Sequence, residues 1–177
     1  MNKKTVAIII TLLITVASFT ALFILWPAPG AEEAPVASKY ENAELGFSVK
    51  YPPEWAIDTS REAEGMIYVS GPSKIGTGEK DVTIAVYDSV QSVPGNDDGL
   101  PLKDFIIGSS SYSAVRAVII DKKLGYAANT SDPAASASLF VEGDDGRAYV
   151  ISMAEEDPSE EILSVANSFR FIEGELK

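Results

Sequence analysis

Carboxylates are the only side chains present in quantity with reactive potential: the chain holds 26 Asp and Glu against 14 Lys and Arg, and no His or Cys at all. Without imidazole or thiol there is no Ser-His-Asp triad, no Cys-His pair and no zinc site of the usual nitrogen and sulfur type. A Ser-Lys dyad at S-x-x-K spacing is also missing, and Gly108-Ser109-Ser110-Ser111-Tyr112 reads as a helix end or loop rather than a nucleophile. Acid–base work near neutral pH would then need a strongly raised carboxylate, a lowered Lys or a perturbed Tyr. Every acidic cluster here is flanked by other acids or by turn formers, so none is marked as set apart in an apolar pocket.

The acidic clusters each have a local explanation. Asn96-Asp97-Asp98 and Asp144-Asp145 offer oxygen ligands that suit calcium, but neither has the D-x-D-x-D-G spacing or the distal Glu of an EF-hand loop, and turn preference accounts for both. Glu155, Glu156, Asp157, Glu160 and Glu161 sit where the positive end of a helix dipole favours acids. A glycosidase pair would also need an aromatic sugar platform, which the sequence does not show. The stretch Gly71-Pro72-Ser73-Lys74-Ile75-Gly76-Thr77-Gly78 resembles a phosphate cradle only superficially: Thr77 stands where a P-loop needs Lys, and no helix pattern follows. It reads as a mobile strand connection, a lid or contact loop.

The elements that would carry these residues are mostly strands. In Tyr40 to Trp55, Phe47, Val49 and Tyr51 alternate with Ser48 and Lys50, which predicts a half-buried strand. Gly46 marks its entry, Pro52-Pro53 closes it, and Trp55 is placed to cap the end of the core. Further strands are predicted over Ala56–Thr59, Met66–Ser70, Val82–Tyr87, Arg116–Ile120, Tyr126–Asn129, Ser138–Glu142 and Ala148–Met153, with Gly143-Asp144-Asp145-Gly146 as a hairpin turn. Leu102, Phe105 and Ile106 predict a helix ending near Gly108 to Ser111. A final helix is predicted with Asp157 as cap, Pro158 at its first position and Glu160 completing a capping box. Its buried stripe is Ile162, Ala166 and Phe169, helped by Leu163 and Val165, and a closing strand follows over Arg170 to Ile172.

Strand runs flanking two helices, with few parallel crossovers, imply an α+β domain built on an antiparallel sheet flanked by helices. The opening stretch also resembles a known family. An aromatic, a short polar turn, Gly46-Phe47-Ser48, alternating apolar residues, then Pro52 and Trp55, is similar to the start of PsbP-like domains, the extrinsic photosystem proteins and their bacterial relatives. A looser match lies in Gly146, Arg147 and Tyr149 and in Phe169 and Phe171. The resemblance covers the C-terminal domain and implies an α/β/α sandwich far more than an activity. Plant members are associated with calcium, chloride and manganese handling, but with no His here an imidazole metal site is not carried over. No catalytic, cofactor or metal residue is assigned, and no cofactor is expected.

Val6 to Trp26 holds no charge over 21 consecutive positions. As a helix that is roughly 31 Å, enough to cross a bilayer core, and longer than the apolar part of a secretory signal. The expectation is a cytoplasmic N-terminus at 1–5, a transmembrane helix or signal anchor at 6–26 oriented by Lys3 and Lys4, and a tether at 27–38 rich in Pro, Ala and Glu. Ala28-Pro29-Gly30 keeps a cleaved signal as the alternative. Residues 39–177, about 140, then form one extracytoplasmic domain of ordinary size. After Trp26 the chain has 12 basic and 26 acidic residues, net −14, which repels nucleic acid and anionic lipid.

Two function classes follow. The first is a membrane-anchored, non-catalytic module that binds a cell-envelope protein or small ligand and assists a membrane complex. The second is a carboxylate-based calcium-binding domain or hydrolase. For the first class, the long loops Gly71 to Asp81 and Val90 to Leu100 are the expected contact surface, contributing little to the core.

Overall fold

The structure is a computed structural model and describes residues 36–131, 135–155 and 157–172. The expected anchor at 6–26 and nearly all of the expected tether at 27–38 lie outside these residues. Among the described residues no helix is long and apolar enough to cross a membrane. The described residues hold ten strands and two α-helices: β1 Ser38–Asn42, β2 Phe47–Tyr51, β3 Ala56–Asp58, β4 Met66–Ser70, β5 Val82–Tyr87, α1 Leu102–Gly108, β6 Tyr112–Ile120, β7 Lys123–Thr130, β8 Ala137–Glu142, β9 Ala148–Met153, α2 Glu160–Asn167 and β10 Arg170–Phe171.

The strands form two sheets, one of order β1-β2-β10 and one of order β3-β4-β5-β9-β8-β7-β6, and every pairing is antiparallel. Alternation along the central strands gives the large sheet two buried faces. Val82 and Ile84 of β5 and Tyr149, Ile151 and Met153 of β9 point to one face, where they pack with Phe47 and Val49 of β2 and with Ile162, Val165 and Ala166 of α2. Ala148 of β9, Phe140 of β8 and Ala128 of β7 point to the other, under Leu102, Phe105 and Ile106 of α1. The crossover from β5 to β6 carries α1 over the second face, and the one from β9 to β10 carries α2 over the first. This is the antiparallel α+β architecture expected from the sequence, with one addition: the predicted opening strand leaves the main sheet and pairs with β1 and β10 in a sheet of its own.

Three sequence expectations need correction. The cap of α2 is Ser159, whose Oγ accepts from Ile162 N at 3.4 Å, so the helix starts at Glu160 and Asp157 and Pro158 lie before it. Asp157-Pro158-Ser159 offers two capping side chains, and the one nearer the buried Ile162 is used. No capping box forms, although Glu160 and Glu161 still occupy the first turn. Leu163 is exposed, because Ile162, Val165, Ala166 and Phe169 follow i, i+3, i+4, i+7 spacing and the residue after Ile162 falls off that stripe. Finally, Val90 to Leu100 is part of the core: Val90, Val93 and Asn96 are buried, and the Asn96 amide donates to Val90 O and Leu100 O while its Oδ1 accepts from Leu100 N at 2.9 Å. A buried side-chain amide with three backbone partners is a brace, so this segment cannot be removed without loss of stability.

Strand β6 begins at Tyr112, four residues before its predicted start, and β7 at Lys123. They join through a two-residue turn at Asp121-Lys122, where both residues have positive φ, 44° and 69°. That is the backbone of a type I′ turn, normally given to Asn and Gly. Asp121 is held there by its own side chain, Oδ2 accepting from Phe171 N at 2.8 Å. The other hairpin forms where predicted: Gly146 N donates to Gly143 O, and Gly146 takes the left-handed conformation with φ 80°.

A candidate ligand-binding hollow

The residues that carry the family resemblance come together, and they make a core. Phe47 stacks on Phe169 with ring centroids 5.4 Å apart, and Tyr149 meets Phe169 and Phe171 edge-on at 5.6 and 5.1 Å. The Tyr149 hydroxyl donates to Leu45 O at 3.1 Å and Arg147 donates to Glu44 O at 2.5 Å, so the β8–β9 hairpin is tied to the turn before β2. Gly46 is required in that turn: its φ is 77°, and a Cβ there would lie 2.8 Å from the Tyr149 oxygen. Burial, reinforced by the Asp145 carboxylate, pushes the Tyr149 hydroxyl up to about 12. Trp55 is half-buried, packing against the edge of this core.

The acidic groups are dispersed over the structure. Among the described residues no three carboxylates come together as a possible metal site. Asp144 pairs with Lys123, Asp145 accepts from Arg147 N at 3.1 Å, and Asp97 and Asp98 are exposed beside the Asn96 brace. The Ser60 hydroxyl and N–H, with the Lys80 ammonium, hold the Asp58 carboxyl well below the usual range. Glu155 lies 3.9 Å from Lys74, and Glu156 is outside the described residues. The loop from Gly71 to Asp81 is tied at both ends by the buried Asp81, whose carboxylate accepts from Gly71 N and from the Lys74 ammonium, each at 2.6 Å. Its middle is open: Ile75 is exposed, and a Cβ added at Gly76 or Gly78 would meet no described atom within 4 Å.

The cavity that sequence reasoning missed lies on the α1 face of the large sheet, beyond the end of the helix, with a volume of about 440 Å³. Phe140 and Val150 form an apolar floor, and Val93 and Pro94 form one wall. Hydroxyls supply most of the rest, from Tyr87, Ser111, Thr130, Ser131, Ser138 and Ser152, with Ala135 and Tyr112 beside them. Ser138 and Ser152 are cross-strand partners with their oxygens 2.9 Å apart. Tyr112 wedges between floor and helix, its ring edge-on to Phe140 at 5.1 Å and to Phe105 at 5.7 Å. None of the described lining residues is charged, and burial pushes the Tyr87 hydroxyl up from its ordinary value. Such a lining both donates and accepts hydrogen bonds at neutral pH and matches an uncharged polar group seated on an apolar floor. Its only trace in the sequence is the polar alternate position of β8 and β9.

No family model matches the chain, and no curated protein matches it. Among solved structures, the chain is similar to the solution structure of cyanobacterial PsbP from Synechocystis sp. PCC 6803, at 13% identity and a TM-score of 0.46, over 82% of this chain and 98% of that one.

Proposed function

We propose that this protein is a membrane-tethered, extracytoplasmic binding module. It holds an uncharged polar group of a cell-envelope protein or small ligand in the hollow beside α1, and so assists a membrane complex. The observation that supports this most is the lining: twelve uncharged hydroxyl and apolar residues converge on one concavity while the described carboxylates are scattered or paired in turns. The uncharged run from Val6 to Trp26 supplies the anchor, and residues 27–38 the tether. The Gly71 to Asp81 loop, open at its middle and fixed at its ends, is a second contact surface; the Val90 to Leu100 segment serves instead as a wall.

The test is site-specific photocrosslinking of the full chain in its own membranes, with the reactive side chain at Pro94 on the hollow's rim or at Leu163 on the opposite face. A discrete adduct at 94, absent at 163 and weakened by Ser138→Trp, is expected. Equal labelling at both positions would overturn the site, and a hydrolytic activity abolished by changing one carboxylate would overturn the class. Calcium titration by calorimetry separates the cation-binding alternative, for which saturable heat is the diagnostic result.

A further inference from the structure

We propose that two copies of this chain associate through strand β6, pairing antiparallel about Val118 so that their large sheets become one. Among the described residues, β6 is the long outer strand of the large sheet, paired on one side with β7. The opposite edge of the large sheet, β3, has three residues and carries Asp58 held by Lys80, whereas β6 runs for nine residues with no acidic side chain and one charge, Arg116. In a chain that carries a net −14 after Trp26, this is the edge where two copies meet without opposing carboxylates.

The backbone fixes which groups are free. Ile120 and Lys123 flank the two-residue turn and so exchange both their hydrogen bonds with each other, and the alternation continues to Val118 and Arg116. Ala117 and Ile119 therefore aim their N–H and C=O away from β7. A bulge between Ser113 and Arg116, with Ala114 at φ 51°, interrupts the earlier part, which leaves Arg116 to Ile120 as the regular segment, centred on Val118. A two-fold axis there places Ala117 against Ile119 of the second copy and Arg116 against Ile120, so no like charges face each other. Ile119 is 71% exposed and its cross-strand neighbour Leu124 57%, and the pairing covers the first of these on both copies.

The experiment uses the full chain in a mild, density-matched detergent. Sedimentation equilibrium is expected to show concentration-dependent dimers. Ala117→Pro removes an outward N–H, a position where an edge strand tolerates proline, and is expected to weaken association at least about tenfold with an unchanged circular dichroism spectrum. Because the chain has no Cys, a single introduced thiol reports the register. Val118→Cys faces itself across the axis at a Cα separation of about 4.5 Å and is expected to oxidise to a linked dimer, while Ala117→Cys, offset by two residues to about 8 Å, is not. Monomers throughout, dimers that survive Ala117→Pro, or equal linking by the two Cys variants would each overturn the proposal. A strand from another protein on this edge would give the first of these results.

Discussion

The two faces of the large sheet are built from alternate residues of the same strands, yet they differ in what covers them. Over one face a second sheet and the eight-residue α2 close a continuous cluster in which Phe47, Tyr149 and Phe169 are fully buried. Over the other, the seven-residue α1 reaches only part of the way, and beyond it the sheet carries serines under a hollow. Where large aromatic side chains meet, as at Phe47, Tyr149 and Phe169 or at Phe105, Tyr112 and Phe140, the packing closes on itself; beyond α1 the short side chains of Ser138 and Ser152 leave depth for something else. The first face therefore carries the larger share of the core, the second adds the smaller cluster under α1, and the hollow beyond that helix is where a ligand costs the fold least.

The largest effect expected from that contrast is at Phe47. Phe47→Ala removes a ring stacked on Phe169 and edge-on to Tyr149, and it should lower unfolding free energy by about 3–5 kcal/mol in chemical denaturation. A loss under about 1 kcal/mol would mean that the aromatic cluster does not hold the domain. Trp55→Ala, at the half-buried margin, should cost less than Phe47→Ala.

A smaller loss, about 1–3 kcal/mol, is expected from Gly46→Ala, which combines a left-handed backbone with a Cβ placed against the Tyr149 oxygen. Tyr149→Phe removes that oxygen, and with it the bond to Leu45, at about 1 kcal/mol. The double variant should be less damaged than the two losses added, since the steric part vanishes with the hydroxyl. Additivity in that cycle would place the whole cost of Gly46→Ala in the backbone.

The same hydroxyl predicts an alkaline signature. Its pKa is raised in the folded state, so the folded chain holds this proton more tightly than the unfolded one. The contribution is whole below the unfolded value of about 10 and is lost as pH rises through about 12. Unfolding midpoints measured from pH 9 to 12 should fall less steeply for Tyr149→Phe than for the parent chain. Parallel curves would count against a buried, raised Tyr149.

Much of the closed face was legible in the sequence because its signals are local: period-two alternation over Val82 to Tyr87, the Gly-Asp-Asp-Gly turn, and the i, i+3, i+4 stripe of α2. What failed was decided by competition or by distance. Two adjacent caps competed at Asp157 and Ser159, and local pattern does not rank them. The Asp121-Lys122 turn lacks Gly or Asn, and the bond that holds it comes from Phe171, 50 residues away. Asn96 reads as a surface turn former because its brace, to Val90 and Leu100, depends on how the segment folds over α1's face. The hollow was invisible for a related reason: serines at alternate strand positions read as solvent-facing until the walls from Val93, Pro94 and Ser111 are seen around them.

The smallest expected effect on stability lies on the open face. Ser138 and Ser152 bond each other across β8 and β9, and a pair of neutral hydroxyls contributes only about 1 kcal/mol net. In Ser138→Ala with Ser152→Ala both partners go together, so neither oxygen is left stranded, and the unfolding midpoint should move by less than it does for Gly46→Ala. The hollow, by contrast, loses two of its hydrogen-bonding groups while its apolar floor is untouched, so crosslinking from Pro94 should fall even though the domain remains folded. A double variant that unfolds readily would make the serines part of the scaffold, and the two faces would then differ in chemistry but not in role.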